Sequence, residues 1–229
     1  MTRDQHFLDS RPNSKGIGWS GLANAKTYHQ FHPGQSIVVI DQNASLGGTW
    51  ATERLYPGLK TNNLVGPLQY PDFPLVPEEF GIERGQHIPG QVVHDYLSQY
   101  AEKFGIADKI RYGVKAISAE HHDNGGWTLT VESGGQKTRI TTARLVVATG
   151  LTSQAFLPKF EGEQDFGAPI FHNKDFLQNR DTLNTAKSVT VFGGAKSAWD
   201  AVYAYASKGI EVNWVIRGQS RGSWLFYSY

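Results

Sequence analysis

Apolar positions recur along this chain with two spacings, one typical of helices and the other of strands. Helical spacing, with apolar residues three and four positions apart, covers residues 19–31 and 93–104. Short β-branched runs at 36–41 and 144–150 are typical of strands buried in a parallel sheet. Strict alternation in WTLTVE, flanked by turn residues on both sides, predicts a small antiparallel meander over residues 110–141.

The last quarter of the chain has the pattern of a strand followed by a glycine turn, a helix and a second strand. There SVTVFGGAKSAWDAVYAYASKGIEVNWVIR predicts a strand, a glycine turn, an alanine-rich helix ended by Gly209, and a strand that ends at Arg217. Near the start, GIGWSGL is likewise followed by a helix and then by the strand SIVVID. Both units predict an α/β fold: a Rossmann-like, doubly wound domain with the small meander, and a second, partial Rossmann unit.

Both glycine turns have the chemistry of a dinucleotide site. Backbone without Cβ approaches a pyrophosphate closely, and the next helix offers unpaired N–H groups at its N-terminus. The first turn carries its glycines at Gly16, Gly18 and Gly21, and the second carries Gly193 and Gly194.

The charges at the two strand ends differ. Asp41 lies 25 positions after Gly16, and Arg217 lies 24 positions after Gly193. A carboxylate accepts from ribose hydroxyls and repels a 2′-phosphate, whereas a guanidinium does the reverse. The first site is therefore predicted to hold FAD or NAD and the second NADP. The alternative is that both are exposed strand-end charges without a ligand.

Composition narrows the possible functions. The net charge is +1, and basic and acidic residues are interspersed, so the sequence shows no basic patch of the kind that binds nucleic acid or an anionic membrane. The absence of cysteine excludes disulfides and thiolate chemistry. No apolar stretch has the length of a signal peptide core or a membrane span, so a cytoplasmic location is expected. Adjacent His121 and His122 do not converge easily on one ion, and His29 and His32 close a helix, so no metal site is predicted.

Five successive segments resemble the class B flavoprotein monooxygenases, which include the flavin-containing and Baeyer-Villiger enzymes, and the fungal members most of all. The segments are GIGWSGLANAKTY, SLGGTW, LYPGLKTN, VVATG and VFGGAKSAWD. The resemblance implies an FAD domain, an NADPH domain inserted into it, and hydride transfer from nicotinamide to flavin. Oxygen then adds to the reduced flavin, and the resulting peroxide oxygenates a soft heteroatom or a ketone of a small organic substrate, with a role in secondary metabolism.

The same resemblance assigns roles to individual positions. Asn62 falls where flavin-containing monooxygenases carry an asparagine near the reactive edge of the flavin and Baeyer-Villiger enzymes an aspartate, which favours heteroatom oxygenation. The positions that match the FAD site are Gly16, Gly18, Ser20, Gly21, Asp41, Gly47, Gly48, Trp50, Thr61, Asn62, Ala148, Thr149 and Gly150. The positions that match the NADP site are Gly193, Gly194, Lys196, Ser197 and Arg217.

Two further segments depart from the family pattern. The family fingerprint is resembled by Phe160, Gly162, His172 and Phe176, but the gap between its halves is long. Without the family, His172 is interpreted as a hydrogen-bonded hinge residue in preference to the alternative, a proton donor. Ala195 stands where a second glycine is usual, so its methyl group is expected to crowd the pyrophosphate and weaken NADP binding.

The ends of the chain also depart from the family. DSRPNSK stands in place of an apolar first strand, and the chain stops soon after Arg217, so the catalytic unit is expected to be incomplete at both ends. The expected division is an atypical segment at 1–15, a partial FAD-binding domain at 16–155, a hinge at 156–185 and a truncated NADP-binding domain at 186–229. Three interpretations remain open: a monooxygenase completed by some means such as self-association, an inactive binding fragment, and a flavin protein that does not oxygenate.

Overall fold

The computed structural model describes residues 5–8, 17–150 and 155–218, so Gly16 lies outside the described residues. The helices, in chain order, are α1 (Trp19–Phe31), α2 (Gly90–Lys103), α3 (Thr182–Thr185) and α4 (Lys196–Ala206). The strands, in chain order, are β1 (Gln5–Leu8), β2 (Ile37–Ile40), β3 (Lys60–Leu64), β4 (His87–Pro89), β5 (Ile110–Arg111), β6 (Lys115–His121), β7 (Trp127–Ser133), β8 (Gln136–Thr142), β9 (Arg144–Val147), β10 (Ser188–Phe192) and β11 (Glu211–Val215).

Contacts between residues divide the chain into two compact units. Unit 1 comes from residues 1–53 and 91–154, and unit 2 comes from residues 54–90 and 155–229. Residues 54–90 therefore group with the second glycine turn, whereas the sequence assigned them to the FAD-binding domain. The predicted hinge at 156–185 and the predicted NADP-binding segment belong to the same unit.

Unit 1 is built on a parallel sheet with the strand order β5-β2-β1-β9. Strand β1 occupies its middle, because Phe7 pairs with Val39 of β2 on one side and with Val146 of β9 on the other. The prediction that this sheet lacks its first strand is therefore wrong. The strand lies at Gln5–Leu8, directly before DSRPNSK, and main-chain pairing does not require the apolar composition expected of this strand.

The two long helices have the predicted positions. Helix α1 buries Leu22 and Ala25, and α2 buries Val93, Tyr96, Leu97, Tyr100 and Ala101. Within unit 1 the rings of Trp19 and Tyr96 lie 5.5 Å apart between centroids. Apolar spacing thus predicted the buried faces, and burial of each large side chain stabilises the fold by about 1.5 to 3 kcal/mol.

The predicted meander is also present. Strands β6, β7 and β8 form an antiparallel sheet in that order, with Leu129 paired to both Ala119 and Ile140. Its buried face joins the parallel sheet in one cluster of Ile40, Ala116, Leu129 and Val131. Ile110 and Arg111, assigned to the meander from the sequence, instead form β5 beside β2, so the meander begins at Lys115.

Unit 2 contains the predicted second unit and an irregular segment. Strands β10 and β11 pair in parallel with α4 between them, and β3 pairs with β4 in a hairpin. The core of unit 2 is a cluster around Phe176, Leu183 and Tyr205. The ring of Phe176 lies 5.5 Å from the ring of Tyr56 and 5.4 Å from that of Tyr205, so this member of the predicted fingerprint is a core residue.

Candidate dinucleotide sites

In unit 1, three of the predicted motifs meet at the peptide groups of Ile17, within the first glycine turn. The N–H of Ile17 donates to Oδ2 of Asp41, at the end of β2. The carbonyl oxygen of Ile17 accepts from the N–H of Gly47 at 2.7 Å. Asp41 is fully buried, and its Oδ1 accepts from the N–H of Asn43 at 2.8 Å. The carboxylate therefore fixes the path of the glycine turn.

The SLGGTW segment turns sharply where its two glycines lie. Gly47 has φ +116° and precedes the 3₁₀ turn Gly48–Trp50, and a Cβ on it would lie 2.8 Å from the carbonyl group of Trp50. Only glycine fits this position without a shift of backbone, because no real Cβ approaches backbone so closely. The carbonyl oxygen of Trp50 lies 3.1 Å from Nδ1 of His94, which anchors the end of the turn to α2.

The start of α1 has the features of an anion-binding helix end. Gly18 is its N-cap residue, no side chain caps it, and its first turn contains no acidic residue. Ser20 is exposed, whereas Gly21 is buried and faces Ile17 and Ala148, where an added Cβ would make ordinary van der Waals contacts at 3.4 and 3.7 Å. A side chain as small as that of alanine would therefore fit at Gly21.

The VVATG segment reaches the same region of unit 1. Strand β9 ends at Val147, Ala148 touches the Gly21 position as described, Thr149 is buried, and Gly150 has φ +71°. Gly16, the first glycine of the predicted site, lies outside the described residues.

Tyr112 is a residue beside Asp41 that the sequence did not indicate. Tyr112 is 38% exposed, and its partial burial, together with the negative charges of Asp41 and Glu53, raises its pKa to about 12. Glu53 in turn accepts from the hydroxyl of Ser45 at 2.6 Å and from the N–H of Ala44 at 3.0 Å. Although burial alone raises the pKa of Glu53, these hydrogen bonds outweigh it and hold that pKa below its usual value.

In unit 2, the predicted Thr61 and Asn62 lie on β3 and face different surroundings. Thr61 is buried, and its Oγ1 accepts from the N–H of Ile88 at 3.0 Å across the hairpin. The Thr61 carbonyl oxygen lies 2.8 Å from Nδ1 of His87. Asn62 is exposed. Thr61 therefore holds the hairpin together, while the amide of Asn62 is presented at its surface.

The second glycine turn joins β10 to α4. Gly193 has φ +129°, donates its N–H to the carbonyl oxygen of Val215 at 3.0 Å, and accepts from Nε1 of Trp214 at 2.6 Å. Gly194 is buried. Ala195 is the N-cap residue of α4, has an exposed side chain, and provides no side-chain cap.

The predicted NADP residues differ in their surroundings. Ser197 is exposed in the first turn of α4, and Arg217 is exposed two positions after β11. The Nζ of Lys196 donates to both carboxylate oxygens of Asp200, with the bond to Oδ1 measuring 2.6 Å. Asp41 directly follows the last residue of β2, whereas Arg217 comes two positions after the end of β11. The two strand-end charges therefore occupy corresponding but not identical places.

The remaining histidines of interest make hydrogen bonds and ring contacts. Nδ1 of His172 accepts from the N–H of Lys174 at 3.1 Å and caps a short 3₁₀ turn, so His172 is hydrogen-bonded, while its role as a hinge residue stays a prediction. His122 lies 2.8 Å from Oγ1 of Thr128, and the ring of His121 contacts Trp127 edge to face. Within residues 5–8, 17–150 and 155–218, no three acidic or histidine side chains converge as metal ligands would. Over the same ranges, no helix has the length and apolar character needed to cross a membrane.

Each unit has parallel strands and a helix that begins directly after glycines or a glycine N-cap, Gly18 in unit 1 and Gly193 and Gly194 in unit 2, which is typical of the Rossmann-like dinucleotide-binding class. A family model described as L-lysine 6-monooxygenase/L-ornithine 5-monooxygenase matches residues 78–223, which is more than half of the chain. The chain therefore belongs to this family of class B flavoprotein monooxygenases, as the sequence motifs indicated.

Individual relatives agree with this assignment. The chain is 40% identical over 214 residues to an FAD-dependent monooxygenase of Pyrenophora dematioidea, and 38% identical over 218 residues to the FAD-dependent monooxygenase rstn6 of Aspergillus nomiae. These matches cover 88% and 90% of this chain but only 38% and 37% of the relatives. The chain thus spans well under half the length of the curated relatives it matches.

Two solved structures show the same fold. Tmm from Pelagibacter sp. strain HTCC7211 superposes with a TM-score of 0.78 at 23% identity, over 94% of this chain and 51% of that one. Cyclohexanone monooxygenase in its closed form gives a TM-score of 0.74 at 19% identity, over 94% of this chain and 38% of that one. The α/β architecture with Rossmann-like units is therefore that of flavin monooxygenases.

Proposed function

We propose that this protein acts as an FAD- and NADPH-dependent monooxygenase that oxygenates a small organic substrate with molecular oxygen in fungal-type secondary metabolism. Family membership supports this proposal, as do the fungal relatives named as FAD-dependent monooxygenases. The observation that carries it is the junction at Ile17, where the glycine turn, the acidic strand end and the SLGGTW segment are hydrogen-bonded to one another.

The residues of unit 1 fit the adenosine and pyrophosphate part of FAD. Among the described residues, the side-chain Nδ2 of Asn43 is buried without a hydrogen-bond partner, two positions after Asp41. Such a donor calls for a polar acceptor, and a ribose hydroxyl supplies one. The uncapped N-terminus of α1 suits the pyrophosphate. Asp41, Gly18 and the Gly47–Gly48 turn are the groups that would hold FAD here, and Trp50, Ala148, Thr149 and Gly150 would complete the pocket.

The residues of unit 2 fit a phosphorylated dinucleotide. The uncapped N-terminus of α4, beside Gly193 and Gly194, suits a pyrophosphate, and the exposed guanidinium of Arg217 suits a 2′-phosphate. The methyl group of Ala195 is exposed and not buried within the turn. It therefore restricts the approach of the phosphates but does not occupy the space that they would take.

Bound FAD supplies a redox centre that accepts a hydride and activates oxygen. This chain's own residues bind and orient: Asp41 holds the Ile17 peptide so that the glycine turn keeps its shape, and the tight turn at Gly47 keeps Trp50 in place. The exposed amide of Asn62 offers a hydrogen-bond donor that carries no charge, and such a donor favours heteroatom substrates over ketones. The cytoplasm is the expected location, and cell fractionation tests it.

Spectroscopy of the purified protein tests this function directly. We expect visible flavin absorption bands, FAD in the supernatant after heat denaturation, and anaerobic bleaching of the bands by NADPH faster than by NADH. Protein that is colourless and takes up no FAD on dialysis contradicts the proposal for this chain. Bound FAD that NADPH fails to reduce contradicts the monooxygenase function and favours a flavin protein without oxygenation.

A further inference from the structure

Three polar side chains of unit 2 meet at the N-terminal half of α4. The Nζ of Lys196 donates to both carboxylate oxygens of Asp200, and the hydroxyl of Tyr56 donates to Oδ2 of Asp200 at 2.6 Å. We call these residues the Lys196–Asp200–Tyr56 cluster. Tyr56 is 144 positions away from Asp200 in sequence, so the cluster joins the YPG segment to the helix that follows the second glycine turn.

The cluster has no net charge. Burial, followed by the charge of Asp200, raises the pKa of Tyr56, so its hydroxyl remains a neutral donor. Lys196 and Asp200 then cancel each other. Their side chains are only 26% and 13% exposed, so solvent screens this ion pair less than it screens a pair on the open surface.

Lys196 lies where the neutralisation of its charge by Asp200 would affect a bound phosphate. Lys196 is the first residue of α4, directly after the turn Gly193–Ala195, where a bound pyrophosphate would face the helix end. A phosphate at this end competes with Asp200 for the ammonium group. In addition, the carboxylate lies near the helix end at which negative charge on a ligand would collect.

We propose that Asp200 limits the affinity of this site for dinucleotides: it restrains Lys196 and limits how much of its charge reaches the phosphates, and Tyr56 is the positioning residue that holds Asp200 in place. This inference rests on the proposed binding of NADP by unit 2. Because the pyrophosphate is common to both cofactors, the restraint weakens NADP⁺ and NAD⁺ equally, whereas Arg217 distinguishes between them.

Titration of the purified chain with NADP⁺ and with NAD⁺ tests the proposal. Asp200→Asn keeps the shape of the side chain and removes its charge, so we expect both dissociation constants to fall about fivefold at low salt, with a steeper loss of affinity as salt is added. Tyr56→Phe should give a smaller gain in the same direction. Asp181→Asn is the matched control, because Asp181 is exposed in the same unit and its side chain caps no helix.

The Lys196→Met background shows whether the gain acts through Lys196. In that background Asp200→Asn should give a clearly smaller gain in affinity, since the released ammonium group is absent and only the direct repulsion between the carboxylate and the phosphates is relieved. A gain of the same size in both backgrounds contradicts the proposal. Equal affinities of the parent and Asp200→Asn overturn the inference and leave the proposed function intact, whereas absence of binding to every variant overturns both.

Chemical labelling measures the restraint without any nucleotide. Acetic anhydride should acetylate Lys196 faster in Asp200→Asn than in the parent, as followed by mass spectrometry of the peptide, because the ammonium group loses its partner. Lys208, on the same unit and without a side-chain bond to Asp200, serves as the internal reference. An unchanged ratio of Lys196 to Lys208 modification shows that the ion pair does not restrain Lys196 and contradicts the proposal.

Discussion

The N–H of Gly47 donates to the carbonyl oxygen of Ile17 across 2.7 Å, and this bond fastens the SLGGTW segment to the first glycine turn. Since the N–H of Ile17 is held by Asp41, both polar groups of this residue are engaged by segments that follow later in the sequence. The shape of the proposed flavin site therefore depends on two residues that can be tested one at a time.

We expect Asp41→Ala to weaken FAD retention and to lower the free energy of unfolding. The substitution leaves the buried N–H groups of Ile17 and Asn43 without their acceptor, which costs about 2 to 4 kcal/mol in total. Equilibrium dialysis with FAD and urea unfolding measure the two effects. Asp123→Ala, at an exposed turn of unit 1, is the control. Equal FAD affinity of Asp41→Ala and the parent would remove Asp41 from the site.

Gly47→Ala should destabilise unit 1 by about 2 kcal/mol more than Gly113→Ala. Both glycines have positive φ, +116° and +67°, but a Cβ on Gly47 would lie 2.8 Å from the carbonyl group of Trp50, whereas a Cβ on Gly113 meets nothing within 4 Å. Urea unfolding of both variants checks this difference. Similar losses for the two would show that the turn at Gly47 has room for a side chain.

Tyr112 makes stability depend on pH in the alkaline range. Its pKa in the folded protein is raised from 10 to about 12, so the folded state keeps the proton longer than the unfolded state does. The stability that Tyr112 contributes through this shift is therefore fully present below pH 10 and is lost as the pH rises to about 12. The difference between the tyrosinate absorbance titrations of the parent and Tyr112→Phe gives this pKa directly. Asp41→Asn should lower the pKa of Tyr112. An ordinary pKa in the parent would show that partial burial and the charge of Asp41 do not act on Tyr112.

Arg217→Ala should reduce the preference for NADPH over NADH. The guanidinium is exposed after β11, where it can meet a 2′-phosphate, so its removal weakens NADPH and leaves NADH nearly unchanged. Titration with both cofactors decides the matter, with Arg180→Ala, another exposed arginine of unit 2, as the control. If the affinity ratio stays the same, Arg217 does not contact the 2′-phosphate.

The position of β1 is tested by Phe7→Pro. Phe7 pairs with Val39 and Val146, and proline removes its amide hydrogen from the middle of the sheet. We expect faster amide hydrogen exchange in β2 and β9 in this variant, and not in Phe7→Leu, which keeps the amide hydrogen. Unchanged exchange in both variants would mean that these residues are not the central strand.

Periodicity predicted much of the fold because the elements concerned are long or strongly patterned. Helix α2 has five buried apolar residues at helical spacing, and β7 alternates strictly, so both follow from local sequence. The four residues of β1 carry no comparable pattern. Their place is determined by main-chain pairing with strands about 30 and 140 positions away, which local sequence does not encode.

Some residues of the candidate sites could likewise be predicted from the local sequence, and others could not. Asp41 and Gly47 could be predicted because they belong to contiguous motifs with a fixed chemical role. Tyr112 could not, since it comes beside Asp41 only when β5 pairs with β2, and Asp200 could not, since its partner Tyr56 lies 144 positions earlier. The one signal available was the acidic residue four positions after Lys196 on the same helix, which predicts an ion pair.

The place of β1 in the sheet also affects how the chain folds during synthesis. Gln5 pairs with Ile37 soon after both have left the ribosome, but its other partner, Arg144, is made roughly 140 residues later, which is about 7 to 30 s at ordinary rates of elongation. Through that interval one side of β1 has no neighbour, and a high contact order makes the closing step slow. Nascent chains are therefore most exposed to mispairing and to capture by chaperones before β9 appears.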